Sequence, residues 1–412
     1  LCFCSYGAGY FHEDHAQEAR RGADPFGGRM ATEEEAPDPH GTNLQLFYAR
    51  AETFKPLPDP DFFKKIKFLC KAIHGQVLLC RCNSPDLEYA SSPVVVKKLV
   101  RSRVEQNRQC EANDKRNNFH PNSKKPQPYP EDALTEIGVY ARLLEEQDCS
   151  PWILKMLDCY CDNAFVYLAL EHAPGGEALA KVQSQGRFPE DTLRTYTRQL
   201  FEAVAYLHRK RIGHRDISLE NVLVKDDKFK VMDFGQAAST HTSCGSLQLR
   251  YFSGIGKDIY RPPEAYLMGL PEFIKVNAPD GVVSDSIIYV AYKGRYCHVR
   301  LRPDPEAGEA PPAGEECDAQ LWGYTLPAAD AFACGVCLFV MAVGAPPWSK
   351  ALEVDPLFRF IRSNGIGVLL PQWKVTLPDQ VLALITSLFE VEPETRPSIQ
   401  DCLDSPWLAS PA

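Results

Sequence analysis

His214-Arg215-Asp216-Ile217-Ser218-Leu219-Glu220-Asn221 is followed a short way on by Asp233-Phe234-Gly235. Any one such triplet arises by chance. Both in this order, directly after a helical run ending Tyr206-Leu207-His208, form a constellation. From there to the C-terminus the long apolar periods are helical: Glu190 to Arg209 immediately before the loops, then Ala331 to Val343, Val381 to Phe389, and Asp401 to Leu408. Ahead of Pro174-Gly175-Gly176 the pattern changes. Phe68-Leu69, Val77-Leu78-Leu79 and Val94-Val95-Val96 predict three short strands, and Ile153 to Tyr160 and Phe165 to Leu170 are strand-like again. Between these groups, Leu134, Ile137, Tyr140, Leu143 and Leu144 recur at helical spacing. Residues 1–65 are rich in Gly, Pro, Asp and Glu without a sustained apolar period, the composition of a disordered tail. Two stretches interrupt the remainder. Residues of about 101–130 are polar, as in a solvated insertion, and those of about 270–325 carry Pro, Gly and acidic clusters without regular period.

The two loops resemble the catalytic and magnesium-binding loops of eukaryotic-type serine/threonine protein kinases. The resemblance keeps the family's motif order over residues 66–408. It implies an α+β, two-lobed fold: a five-stranded small lobe with one helix (66–172), a mainly helical large lobe (173–408), and ATP in the cleft between them. Phosphoryl transfer needs little covalent help, so the roles it implies are positional. Asp216 would orient the acceptor hydroxyl and take its proton, while Asn221 and Asp233 would hold magnesium on the phosphates. Lys97 is similar to the third-strand lysine that grips the phosphates, and Lys98 should point the other way. Glu136 looks like the helix glutamate paired with that lysine, whereas Glu131 and Glu145 are ordinary helix surface charges. Leu168 to Glu177 is similar to the hinge, with Leu170 as gatekeeper, the backbone of Glu171 and Ala173 at the adenine edge, and Glu177 beside the ribose. Gly75, Val77, Val95 and Leu223 would complete the nucleotide pocket. Pro262-Pro263-Glu264 resembles the end of the activation segment, Arg396 the partner of Glu264, and Asp330 the aspartate that braces the catalytic loop. Arg215 resembles an arginine that often holds a phosphate on that segment, where Ser239, Thr240, Thr242, Ser243, Ser246 and Ser253 offer hydroxyls.

The insertion near 270–325, Trp322-Gly323-Tyr324 ahead of Asp330 and the His74-Gly75 loop suggest a divergent, protist-like member, and three further positions depart from the family's pattern. Cys70 and Ala72 stand where the glycine-rich loop would carry two glycines ahead of Gly75, which should weaken nucleotide binding or stiffen the loop. Val95 narrows the adenine slot. Ser218 replaces a lysine that would neutralise the transferring phosphoryl group, a loss of about 10²–10³ in rate unless another cation substitutes. These departures motivate an alternative, a pseudokinase that binds nucleotide or partners without turnover. The site set Lys97, Glu136, Asp216, Asn221 and Asp233 is nevertheless complete, as an active enzyme requires.

The formal net charge of -9 offers no basic field for a polyanion, so neither nucleic acid nor an anionic membrane is expected as main partner. A protein substrate with basic residues around the acceptor suits it better. The 15 cysteines are scattered through core-like segments and are expected to be reduced thiols, consistent with a cytoplasmic protein. Cys80/Cys82 and Cys159/Cys161 lack neighbours at zinc spacing. The longest apolar stretch, Ala331 to Pro346, falls short of the roughly 18 to 20 residues of a membrane span and is expected as a buried helix.

Overall fold

The alternating strand pattern of the first half folds as one twisted sheet. The computed structural model describes residues 47–105, 132–242, 245–252, 254, 256–283, 285–302 and 312–409. Strands β1 (Lys55–Pro56), β2 (Phe63–Ala72), β3 (Gly75–Cys82), β4 (Val94–Val100), β5 (Met156–Cys161) and β6 (Phe165–Glu171) form a six-stranded sheet in the order β1-β5-β6-β4-β3-β2. The expected five strands are joined by β1, a two-residue edge strand pairing parallel with β5. Register places Val77 and Leu168 opposite Lys97, and Leu79 and Leu170 opposite Val95. Side chains alternate across a strand, so these six share one face. The other face carries Val94, Val96 and Cys80, buried beneath Phe62, Tyr160 and Tyr167. Lys98 points to that face, its ammonium over the Phe165 ring.

Helix α1 (Ala133–Leu144) packs beside the sheet, its N-terminus capped by Asp132, whose carboxylate accepts the Leu134 N–H at 2.9 Å. Residues 47–65, expected as tail, belong to the folded lobe. Phe47, Ala49 and Phe54 are buried, and the Ala49 N–H donates to the Leu134 carbonyl of α1 at 3.0 Å. The segment was illegible because its apolar residues obey no single period. Residues 1–46, and most of the polar insertion near 101–130, lie outside the described residues. Gly138 lets the segment lie against the helix, for a β-carbon there would sit 1.5 Å from the Phe47 carbonyl oxygen. Gly138→Val should therefore expel residues 47–56 and cost about 1–3 kcal/mol. Hydrogen exchange checks this: faster exchange in that segment is expected, and parental exchange would contradict the packing described.

The large lobe is built on α3 (Glu190–Arg209) and α4 (Leu326–Val343), with α2 (Ala178–Gln185), α5 (Pro356–Asn364), α6 (Asp379–Leu388), α7 (Ile399–Leu403) and α8 (Pro406–Ala409) around them. Helix α4 starts before the expected Ala331, because Pro327 suits a first helical turn. It is long and apolar enough to cross a membrane, yet most of its surface is buried against the other helices. Between the helices, β7 (Ile212–Gly213), β8 (Val222–Lys225), β9 (Lys228–Val231) and β10 (Ala238–Ser239) make two small hairpin-like pairs, β8 with β9 and β10 with β7.

The stretch near 270–325 is not irregular. It folds into a second sheet, β11 (Phe273–Asn277), β12 (Ile287–Tyr292), β13 (Arg295–Leu301) and β14 (Glu316–Leu321), antiparallel in the order β11-β14-β13-β12. Ile274, Val276, Cys297, Val299, Ala319 and Leu321 give it a core shared with Tyr251 and Leu326. In β14 the buried Cys317, Ala319 and Leu321 alternate with Glu316, Asp318 and Gln320, so the strand period was present between the Pro- and Gly-rich turns.

Candidate active site

Lys97 leaves the strand face beneath the sheet and meets Glu136, one turn into α1, at 2.5 Å, both side chains nearly buried. The N–H of Asp132, just before that helix, donates to the Gly235 carbonyl at 2.8 Å, fastening α1 to the loop that bears Asp233. Phe234 is buried between Tyr140 of α1 and His214, with ring centroids at 4.9 and 5.2 Å. Burial works against the Lys97 charge, but the Asp233 and Glu136 carboxylates outweigh it and hold its pKa above the ordinary lysine value. Burial also opposes ionisation of Asp233, and there Lys97, His214 and the Gly235 N–H prevail and lower its pKa. The two groups therefore stabilise each other's charged forms in one pocket.

Asp216 sits in the loop after β7, whose backbone is braced from below. Asp330 accepts the N–H groups of His214 at 2.8 Å and Arg215 at 2.9 Å, and contacts His208 Nε2 at 3.0 Å. Arg215 and Asp233 both hold positive φ, of 67° and 68°, the tight conformations that aim neighbouring side chains into the cleft. Asp216 Oδ2 accepts Asn221 Nδ2 at 2.8 Å and Lys257 Nζ at 3.1 Å. Asp216 Oδ1 is buried with no hydrogen-bond partner among the described residues. An acceptor held in that state is suited to take a hydroxyl proton.

The nucleotide-facing residues expected from sequence divide between sheet and loops. Val77 and Val95 share the face of Lys97, and Leu170 is buried across from Val95. Leu223 bridges to Glu177, which precedes α2, bringing the large lobe's contribution under the same face. Ala173 is buried in the connection between the lobes. The Glu171 carboxylate is held by Lys225 at 2.6 Å and Lys230 at 3.1 Å, so its side chain ties the hinge to β8 and β9. Gly75 opens β3 against the Lys98 carbonyl of β4, so the residue type there is also demanded by strand packing. The turn before it is tight, Ala72 pairing directly with Gly75.

The activation segment is tied down at several points. Ala238 and Ser239 pair with β7, and Tyr251 exchanges backbone hydrogen bonds of 2.9 Å with Tyr324 at the exit of the second sheet. The Arg215 guanidinium lies over the Tyr251 ring at 4.9 Å. Of the candidate hydroxyls, Ser239, Thr240 and Thr242 are buried and Ser246 is exposed, while Ser243 and Ser253 lie outside the described residues. Glu264 and Arg396 form the expected bidentate pair, at 2.9 and 3.1 Å. Lys257 is the residue that sequence reasoning missed. Its only local signal is a lysine in the run Gly256-Lys257-Asp258 ahead of Pro262-Pro263-Glu264.

Asn221 turns its amide nitrogen to Asp216, leaving its side-chain oxygen available as a ligand, and its backbone carbonyl accepts the N–H of Met232, the neighbour of Asp233, at 2.9 Å. One carboxylate and one carboxamide oxygen fit a hard cation that retains waters and takes its remaining ligands from phosphates.

Residues 99–269 match the protein kinase domain family, a span that begins just after Lys97 and stops just before the second sheet. The chain is 27% identical over 280 residues to CBL-interacting serine/threonine-protein kinase 7 of Arabidopsis thaliana, covering 66% of this chain and 51% of that protein. It is 29% identical over 274 residues to CBL-interacting serine/threonine-protein kinase 14 of the same plant, covering 66% and 47%. Serine/threonine-protein kinase ppk25 of Schizosaccharomyces pombe is 25% identical over 266 residues, 63% of this chain and 46% of that protein. The chain thus spans about half the length of these relatives.

Proposed function

This chain belongs to the eukaryotic-type serine/threonine protein kinases, and from that premise we propose that it transfers the γ-phosphoryl group of ATP to serine or threonine hydroxyls of protein substrates. The observation that carries the reading is the shared pocket in which Glu136 and Asp233 sustain the charge of Lys97 and Lys97 that of Asp233, together with an Asp216 that has one oxygen unpartnered among the described residues. In the transfer, the acceptor hydroxyl attacks the γ-phosphorus, the bond to the bridging oxygen breaks, ADP leaves with that electron pair, and the hydroxyl proton passes to Asp216. Lys97, fixed by Glu136, grips phosphate oxygens. Asn221 and Asp233 would hold magnesium, which when bound neutralises charge on the phosphates.

Val77, Val95, Leu170 and Leu223 would sandwich the adenine, with the backbone of Glu171 and Ala173 at its edge. The complete set of site residues argues against the pseudokinase alternative that Cys70, Ala72 and Ser218 motivated. Buried thiols such as Cys80, Cys159, Cys334 and Cys337 support a reducing, cytoplasmic setting. Incubation with radiolabelled ATP and a peptide library tests the activity: label on serine or threonine is expected, and label confined to tyrosine, or absent, would refute it.

Glu177 and Glu220 support a preference for arginine two or three residues before the acceptor. Glu220 also accepts the Tyr260 hydroxyl at 3.0 Å, which holds its carboxylate next to the activation segment. Two partly exposed pairs together should shift selectivity by about tenfold. Glu177→Ala combined with Glu220→Ala should flatten the preference, and a library that demands proline after the acceptor would contradict it.

A further inference from the structure

Ser218 is too short to reach a transferring phosphoryl group, yet the site is not without a cation at this position. Lys257 Nζ donates to Ser218 Oγ at 2.9 Å and to Asp216 Oδ2 at 3.1 Å. Burial opposes its charge, and Asp216 and Glu220 more than restore it, raising its pKa. Its approach is built into the backbone. Gly256 has φ 83°, a β-carbon there would sit 2.8 Å from the Arg215 carbonyl oxygen and 3.4 Å from Asp216 Oδ1, and its N–H is held by Gln236 Oε1 at 3.0 Å. The residue after Phe234-Gly235 thus anchors the peptide that delivers Lys257 to the catalytic loop.

We propose that Lys257 supplies from the activation segment the phosphoryl-contacting cation that residue 218 does not, with Ser218 serving as its hydrogen-bonded seat. This rests on the reading of the chain as an ATP-dependent kinase. An ammonium carries three donors. Two are placed on Ser218 and Asp216, and the third is left for an oxygen of the phosphoryl group as it moves from the departing ADP oxygen to the acceptor hydroxyl. The arrangement also links turnover to the order of the activation segment: displacing residues 256–257 removes the cation together with the segment, which a lysine on the catalytic loop itself would not do.

The test compares Lys257→Met, Lys257→Arg and the exchange Ser218→Lys with Lys257→Ser. Lys257→Met should lower kcat by about 10²–10³ with KM for ATP little changed, the signature of an interaction made mainly in the transition state. Lys257→Arg should retain part of the rate, and the exchange should recover at least about tenfold over Lys257→Met, because the cation returns from the other loop. A second readout needs no turnover: calorimetry of ADP with and without aluminium fluoride, a mimic of the transferring group. Lys257→Met should lose the extra affinity conferred by the fluoride while binding ADP like the parent. Parental kcat in Lys257→Met, an exchange no better than Lys257→Met at equal thermal stability, or an undiminished fluoride effect each overturns the proposal. A parent that binds both nucleotide forms with the expected difference but never transfers phosphate overturns the kinase reading instead.

Discussion

Asp216→Asn should lower kcat by about 10²–10⁴ while leaving ATP affinity and thermal stability close to those of the parent. The expectation comes from how the two carboxylate oxygens are used. Oδ2 accepts from Asn221 and Lys257, whereas Oδ1 is buried without a partner among the described residues. In asparagine the single oxygen can serve both donors, so the amide settles with its oxygen at the Oδ2 position. The NH₂ group then occupies the place of Oδ1, where a proton acceptor is needed. The substitution therefore preserves the fold and the nucleotide cleft and inverts the chemistry of one atom. Steady-state kinetics with calorimetric ATP binding on the same preparation decides the matter. A variant within tenfold of the parent would show that Asp216 is not the proton acceptor, whereas a variant that loses both turnover and ATP binding would show that the loop had collapsed.

How much of this was legible in the sequence depended on how far apart in the chain the cooperating residues lie. Asp216, Asn221 and Asp233 announce themselves because loop geometry forces fixed spacing on the residues that build it. Lys97 and Glu136 were reached only through the family resemblance and its motif order, and the fold brings the two into contact. Helix α3 agreed to the residue with its apolar pattern. The elements that escaped lack such local constraints. Phe47 and Ala49 are buried where Gly138 of α1 lets their backbone approach, a fact about packing. Lys257 meets Ser218 across 39 residues of chain, and nothing in either neighbourhood requires the other. The absence of lysine at 218 was visible, but where its replacement comes from depends on three-dimensional placement. The second sheet is an intermediate case, with an alternating pattern in β14 obscured by the turns on either side.

Arg396→Ala should cost about 3–5 kcal/mol of stability, the largest loss expected from any single substitution considered, because it strands a buried charge. Both partners are essentially inaccessible, with side-chain exposures of 0% for Arg396 and 1% for Glu264. The guanidinium serves more than its carboxylate. Nε donates to the Glu390 carbonyl at 3.0 Å, Nη1 to Ala328 at 2.7 Å, Nη2 to Val391 at 3.3 Å, and the plane lies 5.0 Å from the Phe332 centroid. Removing it leaves one carboxylate and three carbonyls without these donors at the junction of α4, the C-terminal helices and the activation segment. Arg396→Lys should recover little, since an ammonium cannot hold a bidentate pair and three diverging carbonyls together. Glu264→Gln combined with Arg396→Met should be less damaging than Arg396→Ala, because no unpaired charge remains. Denaturant unfolding followed by intrinsic fluorescence measures all three, and a loss under about 1 kcal/mol for Arg396→Ala would mean that water reaches Glu264. The functional consequence follows from chain connectivity. Glu264 lies seven residues beyond Lys257 in the segment that also places Tyr260 against Glu220. Loosening the Arg396 anchor should therefore lower kcat through the position of Lys257 under conditions where the variant is still folded.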